Sequence, residues 1–135
     1  MAHTRGDPAA SADPSALLPL TPAVFHILLA LADSERHGYS ILREIERYTD
    51  GQLRLGATTL YRSIKQMLSA GLIVEVNERP DPALDDERRR YYRLTDFGRC
   101  VAAAETRRLE QIVVVARTKP FNQTGLLPDA RSGGR

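Results

Sequence analysis

Residues Leu55–Val76, which read LGATTLYRSIKQMLSAGLIVEV, carry the strongest structural signal in the chain. Their apolar side chains recur at spacings of four, three and one, which places them on one side of an α-helix. Gly71 is expected to end this helix, because glycine adopts the left-handed conformation at little cost. The β-branched pair Ile73 and Val74 then begins a strand. The helix residues predicted to be buried are Leu60, Ile64, Met67 and Leu68.

The opposite side of this helix carries no apolar and no acidic side chain. A rotation of about 100° per residue brings hydroxyl groups, an amide and two cations together there. Solvated helices ordinarily mix charges of both signs, so this composition favours a surface that approaches phosphates and base edges. A short neutral-to-basic face also arises by chance, and that alternative stays open. The predicted outer residues are Thr58, Thr59, Arg62, Lys65, Gln66 and Ser69.

Length and charge bound the class of protein. The 135 residues, 42% of them hydrophobic, suffice for one small core and are too few for two ordinary domains. The sequence has no run of about 18 apolar residues and no apolar signal-peptide centre, so we expect a cytoplasmic protein without a membrane partner. The net charge of +2 decides nothing about nucleic acid, because phosphate neutralisation is local.

The sequence shows no pattern typical of catalysis or metal binding. It has neither a Gly-rich phosphate loop nor zinc-ligand spacing, and its three histidines are scattered. His26 lies in an apolar segment, where we expect a packed core or interface histidine. Cys100 is the single cysteine and cannot form an internal disulfide; we expect a small buried side chain there. The sequence therefore predicts no enzyme, no metal site and no cofactor.

Caps and periodicity predict two helices before the central one. Residues 1–19, rich in Ala, Pro, Ser and Asp, are expected to form a disordered lead. Thr21 and Pro22 begin a helix that is apolar nearly all round and runs to Ala32. A second helix is expected over residues 39–49. Its predicted buried stripe is Ile41, Leu42, Ile45 and Tyr48, and glycines at 51 and 56 are expected to turn the chain after it.

A polar loop over residues 77–87 separates two predicted strands, which makes a hairpin. In the second strand Tyr92 and Leu94 share one face, as an alternation of period two requires. The tip of the loop is acidic, whereas a basic cluster lies at its base, where it could reach a DNA backbone. The alternative is a charge run that solvates an edge strand. The basic cluster is Arg88, Arg89 and Arg90.

A last helix is predicted over residues 95–119, with Thr95 as its cap, followed by a disordered tail over residues 120–135. Val113, Val114 and Val115 make its end more apolar than a lone surface helix needs. This favours burial against a second copy of the chain, and packing on its own domain is the alternative. The predicted dimer interface is Ala102, Leu109, Ile112, Val113 and Ala116, with Arg99, Glu105, Arg107, Arg108 and Glu110 outside.

Five short motifs occur in the order typical of the PadR family of bacterial transcriptional regulators, which this chain resembles. They are LTPA at 20–23, HGYSI at 37–41, TLYR at 59–62, LSAGLI at 68–73 and RYYRLTDFG at 90–98. The resemblance covers about residues 20–117. It implies a mostly α fold with a small β-hairpin: a winged helix-turn-helix over residues 20–94 and a C-terminal dimerisation helix over residues 95–119.

The resemblance also implies a function. It suggests a sequence-specific regulator, usually a repressor, which binds an inverted repeat in double-stranded DNA as a homodimer. The recognition helix, residues 57–70, would enter the major groove and the wing, residues 77–91, would reach the backbone or minor groove. Relief by a small aromatic or drug-like ligand is common in the family, so a small-molecule effector is a candidate partner. The alternative is a winged-helix module that binds a protein. The predicted DNA-contact residues are Thr58, Thr59, Arg62, Ser63, Lys65, Gln66, Arg88, Arg89 and Arg90.

Overall fold

The computed structural model describes residues 13–76 and 90–123, and the chain divides into two compact units, residues 1–105 and 106–135. Four helices and a small antiparallel sheet confirm the predicted winged helix-turn-helix class. The helices are α1 (Pro22–Ala30), α2 (Gly38–Tyr48), α3 (Ala57–Ser69) and α4 (Asp96–Arg117). The strands are β1 (Arg36–His37), β2 (Ile73–Val76) and β3 (Tyr91–Leu94), and 3₁₀ turns occupy Pro14–Leu17 and Pro120–Asn122.

Side chains cap three of the helices, α1, α2 and α4. The Oγ1 atoms of Thr21 and Thr95 accept N–H groups in the first turns of α1 and α4, at 3.2 and 2.9 Å, as the sequence predicts. α2 begins one residue earlier than expected, because Nδ1 of His37 accepts the N–H of Ser40 at 3.2 Å. These bonds satisfy N–H groups that have no partner inside the helix.

Two of the three predicted glycine turns need glycine. Gly51 has a φ of 76° and Gly71 a φ of 78°, and both follow a helix in the left-handed conformation. Gly56 differs from the expectation. It is the N-cap of α3 with a φ of −74°, an extended conformation that other residues adopt equally well.

The sheet has the strand order β1-β3-β2. β2 and β3 are paired so that Ile73 lies opposite Leu94, and this register leaves Tyr92 and Leu94 only 3% and 5% exposed, as predicted. β1 was not predicted. It places Arg36 opposite Tyr92 and is too short to show the alternation by which a strand is recognised in a sequence.

The core of the first unit joins the three short helices, the sheet and the start of α4. Two residues predicted to be buried lie at the surface, Leu68 and Tyr48, each 37% exposed. Leu68 lies at the edge of the buried arc of α3, about 90° from its centre. The Tyr48 ring instead stacks on His26, with ring centroids 5.7 Å apart. The largest fully buried apolar side chains are Ile27, Leu28, Ile41, Ile45, Leu60, Met67, Ile73 and Val101.

The first half of α4 packs on the core of its own unit. Three residues in it differ from the predictions. Ala102 was predicted to line a dimer interface but packs against this core. Glu105 was predicted to face outward but is only 2% exposed. Its burial is tolerated because Oε2 accepts the N–H of Leu20 at 3.1 Å. Cys100 is exposed rather than buried.

The ends of the described chain also have regular structure. The turn Pro14–Leu17, capped by Asp13, lies within the predicted lead, and Leu18 packs against the core. In the second unit the turn Pro120–Asn122 lies within the predicted tail, and Asn122 Nδ2 donates to the carbonyl of Ala116 at 3.0 Å. Residues 1–12 and 124–135 of these two segments lie outside the described residues. Over the described ranges, no helix is long and apolar enough to cross a membrane.

Candidate nucleic-acid interface

α3 presents a polar face to solvent. The predicted outer residues span an arc of about 120° around the helix axis, centred near Arg62. Thr59, at one edge of the arc, is half-buried, and the other five are exposed: Thr58, Arg62, Lys65, Gln66 and Ser69. Toward the C-terminal end of α3 this face forms a shallow depression lined by Arg62, Lys65, Gln66, Ser69 and Ala70. The structure therefore brings to one surface five of the six α3 residues that were predicted to contact DNA. These five are Thr58, Thr59, Arg62, Lys65 and Gln66.

Ser63 is the exception. It was predicted to contact DNA, but it is only 6% exposed and lies about 100° from Arg62, on the core side of α3. The buried arc of the helix is turned toward Ser63 and away from Leu68. A side chain directed into the core cannot reach a base edge, so Ser63 does not belong to the candidate interface.

Three contacts hold α3 in place. On one flank, Gly38 of α2 lies so close to the Tyr61 ring that a Cβ at position 38 would be 2.9 Å from Tyr61 Cζ. Past the end of α3, Oγ1 of Thr95 donates to the carbonyl of Gly71 at 2.6 Å. Gly98 packs against the backbone of Leu72, which leaves no room for a Cβ. α3 is therefore anchored at its flank and at its end.

Ion pairs engage most of the described cations between residues 13 and 94. The hydrogen bond from Arg47 lowers the pKa of the Glu44 carboxyl, and the charge of Arg36 lowers it further. Between residues 13 and 94, the described cations without a carboxylate partner are Arg43, Arg62 and Lys65, the last two on the outer face of α3. The ion pairs are Arg36 with Asp33 (3.7 Å) and Glu44 (3.6 Å), Arg47 with Glu44 (2.6 Å), Arg54 with Glu46 (3.6 Å), Arg90 with Glu75 (3.5 Å) and Arg93 with Glu35 (3.6 Å).

The predicted wing contacts are only partly described. Arg90 directly precedes β3, and its side chain is 54% exposed, 3.5 Å from the carboxylate of Glu75. That carboxylate compensates part of the charge that was predicted to meet phosphate. Arg88, Arg89 and the wing loop at 77–89 lie outside the described residues.

Sequence analysis missed one exposed pair beside α3. Tyr39 is 59% exposed, and the guanidinium carbon of Arg43 lies 4.8 Å from the centroid of its ring. Residues four apart lie on the same face of a helix, so the spacing of Tyr39 and Arg43 was visible in the sequence. That Arg43 has no carboxylate partner among the described residues was not visible there.

The second unit displays the apolar end of α4. Four residues of the predicted dimer interface, Leu109, Ile112, Val113 and Ala116, share one side of the helix, within about 60° of Leu109. Ile112 is 49% exposed and Val113 46% exposed. Val114, which is 66% exposed, lies about 140° from Leu109 on the other side of the helix.

Within the described residues, no group of three or more histidine, cysteine, aspartate or glutamate side chains is arranged to hold a metal ion.

Comparisons with known proteins agree with this geometry. The model of the transcriptional regulator PadR-like family matches residues 27–104. A transcriptional regulator from Clostridium thermocellum is 24% identical with a TM-score of 0.64, covering 73% of this chain and 89% of its own. A PadR family transcription regulator from Clostridium difficile R20291 is also 24% identical with a TM-score of 0.57, covering 73% and 97%.

A third solved structure shares the fold with a lower TM-score. It is BpsR from Bordetella bronchiseptica, whose DNA binding is regulated by 6-hydroxynicotinic acid. BpsR is 23% identical to this chain with a TM-score of 0.55, and the match covers 84% of this chain and 73% of BpsR. A comparison with curated proteins found no match.

Proposed function

Because the chain belongs to the PadR-like family of transcriptional regulators, we propose that it represses transcription by binding a specific DNA sequence as a homodimer. One observation carries the proposal. The exposed face of α3 holds hydroxyl groups, an amide and two cations, and neither Arg62 nor Lys65 has a carboxylate partner among the described residues. A helix that is anchored by its other side and presents this face suits the major groove.

The proposal assigns two kinds of contact to α3. Thr58, Thr59, Arg62 and Gln66 read base edges, and their chemistry fits: a guanidinium pairs with O6 and N7 of guanine, an amide with N6 and N7 of adenine. Lys65, at the edge of the face, binds phosphate. Gly56 has no side chain with which to cap α3, so no capping side chain blocks the first N–H groups of the helix.

Two copies of the chain would share the operator. On the apolar side of α4, Ile112 and Val113 are exposed and Leu109 and Ala116 partly exposed, which supports pairing with a second copy. A two-fold dimer binds an inverted repeat whose half-sites lie about 34–36 Å apart. The arginines at the base of the wing, Arg88, Arg89 and Arg90, would add backbone contacts once Arg90 exchanges Glu75 for phosphate.

A small aromatic effector that relieves repression completes the proposal. Its support is the shared fold of BpsR, a protein whose DNA binding responds to 6-hydroxynicotinic acid.

The test is a titration of the full chain against the DNA upstream of its own gene and against a random duplex, at two salt concentrations. Specific binding should exceed random binding by roughly 10³ or more, and the affinity should fall with a log–log slope of about 0.9 per phosphate neutralised. Binding to neither duplex would contradict the proposal and favour a module that binds a protein.

A further inference from the structure

Tyr39 and Arg43 form an exposed pair on the outer side of α2. The Tyr39 ring is 59% exposed, and the Arg43 guanidinium lies over it, 4.8 Å from the centroid. A cation over an aromatic face is attracted by the ring quadrupole. The ring therefore holds a long, flexible side chain in one place, which lowers the entropy that Arg43 would lose on binding a ligand.

The carboxylates of α2 do not compensate Arg43. Glu44 accepts from Arg47 at 2.9 and 2.6 Å, and Glu46 pairs with Arg54 at 3.6 Å. Arg43 itself is exposed and has no carboxylate partner among the described residues. α2 thus has both its acidic side chains engaged and one positioned guanidinium that no described carboxylate pairs with.

The pair lies on the solvent side of α2, and Tyr39 directly follows Gly38, the residue of α2 that contacts α3. Positions around α2 follow from a rotation of about 100° per residue. Tyr48, which contacts α1, lies about 80° from Gly38 in one direction around the helix axis. Tyr39 and Arg43 lie about 100° and 140° from Gly38 in the other direction, away from α1. Gly38 itself packs against Tyr61 of α3.

The edge of the α3 face is close to that contact. Lys65 lies about 40° from Tyr61 around α3 and one turn further along. Between residues 13 and 94, the three described cations without a carboxylate partner therefore lie near this junction: Lys65 one turn beyond Tyr61, Arg62 next to Tyr61, and Arg43 over the ring of Tyr39, which follows Gly38.

We propose that Tyr39 and Arg43 bind a backbone phosphate of the DNA beside the groove that α3 enters; this inference rests on the proposed function. The Arg43 guanidinium donates two parallel N–H bonds to phosphate oxygens, a geometry that an ammonium group cannot reproduce. The Tyr39 ring orients the guanidinium, and its hydroxyl donates to the same phosphodiester or its neighbour. Such a contact strengthens binding to every sequence equally, because phosphates carry no base identity.

The experiment compares Arg43→Ala with Arg47→Ala in the full chain. Both changes remove an arginine from the exposed side of α2, but Arg47 is engaged by Glu44. Arg43→Ala should weaken binding to the upstream DNA and to random duplex by the same factor, roughly tenfold. The log–log salt slope should fall by about 0.9 for each half-site occupied. Arg47→Ala should leave both quantities near wild type.

Two further variants separate the contribution of the Arg43 charge from that of its geometry. Arg43→Lys should restore the salt slope and only part of the affinity, since it keeps the charge but not the guanidinium fork. Tyr39→Leu, which removes the ring and the hydroxyl, should weaken both duplexes with the slope unchanged, because the charge remains.

An Arg43→Ala protein with the affinity and salt slope of Arg47→Ala would overturn the inference. So would a loss confined to the upstream DNA, because that result is the signature of a base contact. Failure of the proposed function looks different, since the wild-type chain would then bind neither duplex.

Discussion

Gly38 and Tyr61 are packed so closely that the junction of α2 and α3 admits no further carbon atom at position 38. A Cβ there would lie 2.9 Å from Cζ of the Tyr61 ring and nearer still to its hydroxyl oxygen. Gly38 does not have a positive φ, so space rather than backbone conformation requires the glycine. Tyr61 directly precedes Arg62, which couples this contact to the face proposed to read DNA.

Gly38→Ala should therefore lower the thermal stability and weaken DNA binding. The Tyr61 ring must shift to accept the methyl group, and overpacking of this kind costs about 1–3 kcal/mol. Gly56→Ser is the control, because a Cβ at position 56 meets no atom within 4 Å and serine caps helices well. Thermal unfolding measures both variants. Equal midpoints for Gly38→Ala and wild type would contradict the packing argument.

Arg62→Ala should reduce the free energy of specific binding by about 1–3 kcal/mol and flatten discrimination between the specific site and random duplex. The reason is that a guanidinium paired with guanine contributes only where that base is present. Ser63→Ala should leave discrimination unchanged, because Ser63 is buried on the core side. Titration of both duplexes with each variant is the measurement, and an equal loss on random DNA would reassign Arg62 to phosphate.

Val113→Glu should leave the DNA-binding unit folded but abolish dimerisation, because it places a charge in the proposed apolar interface. Loss of the second half-site then weakens operator binding. Val114→Glu adds the same charge about 140° from Leu109 and should remain dimeric. Sedimentation equilibrium distinguishes the two variants. If the Val113→Glu protein still sediments as a dimer, the pairing surface lies elsewhere.

Glu75→Gln should raise the affinity for DNA about two- to threefold at low salt, because it releases Arg90 from its carboxylate partner. The gain should shrink at high salt, since the side chains are 54% and 32% exposed and are screened by ions. Glu110→Gln changes the net charge equally in the second unit and is the control. If both variants gain equally, the effect is one of total charge and not of Arg90.

His26 should make the stability of the fold depend on pH. Burial lowers the pKa of His26 below 6.5, and its Nδ1 lies 2.7 Å from the hydroxyl oxygen of Tyr48. Burial, aided by the charge of Glu44, raises the pKa of Tyr48 to about 12, so that hydroxyl stays protonated and donates to the carbonyl of His26 at 3.2 Å.

The direction of this pH dependence follows from the affinity of His26 for a proton in the folded and unfolded states. The unfolded chain binds the His26 proton more tightly than the folded chain, so the folded state loses stability as the pH falls below about 6.5 toward the lower folded pKa. His26→Phe keeps the stacked ring and should flatten the denaturation midpoint between about pH 7 and pH 5. Parallel profiles for wild type and variant would show that His26 is not the titrating group.

Several boundaries of the helices and strands could be predicted from the residues at and beside them. Thr21 and Thr95 cap helices, Gly51 and Gly71 end helices, and alternation along β3 buries Tyr92. Each of these features depends on a few consecutive residues, because capping and φ preferences act over one turn of chain. The order of the short motifs likewise indicates the family from the sequence alone.

The exact faces and charge pairs depended on contacts between distant segments. The buried arc of α3 is rotated by about 35° from the predicted one, which takes Ser63 inside and leaves Leu68 outside. Periodicity finds an apolar side but not the rotation of the helix against its neighbours. The burial of Glu105, and the lack of a carboxylate beside Arg43 in the described part of the chain, likewise follow from groups that the fold brings together or keeps apart. Burial and charge pairing are properties of the packed molecule, because both depend on neighbours that are remote in the chain.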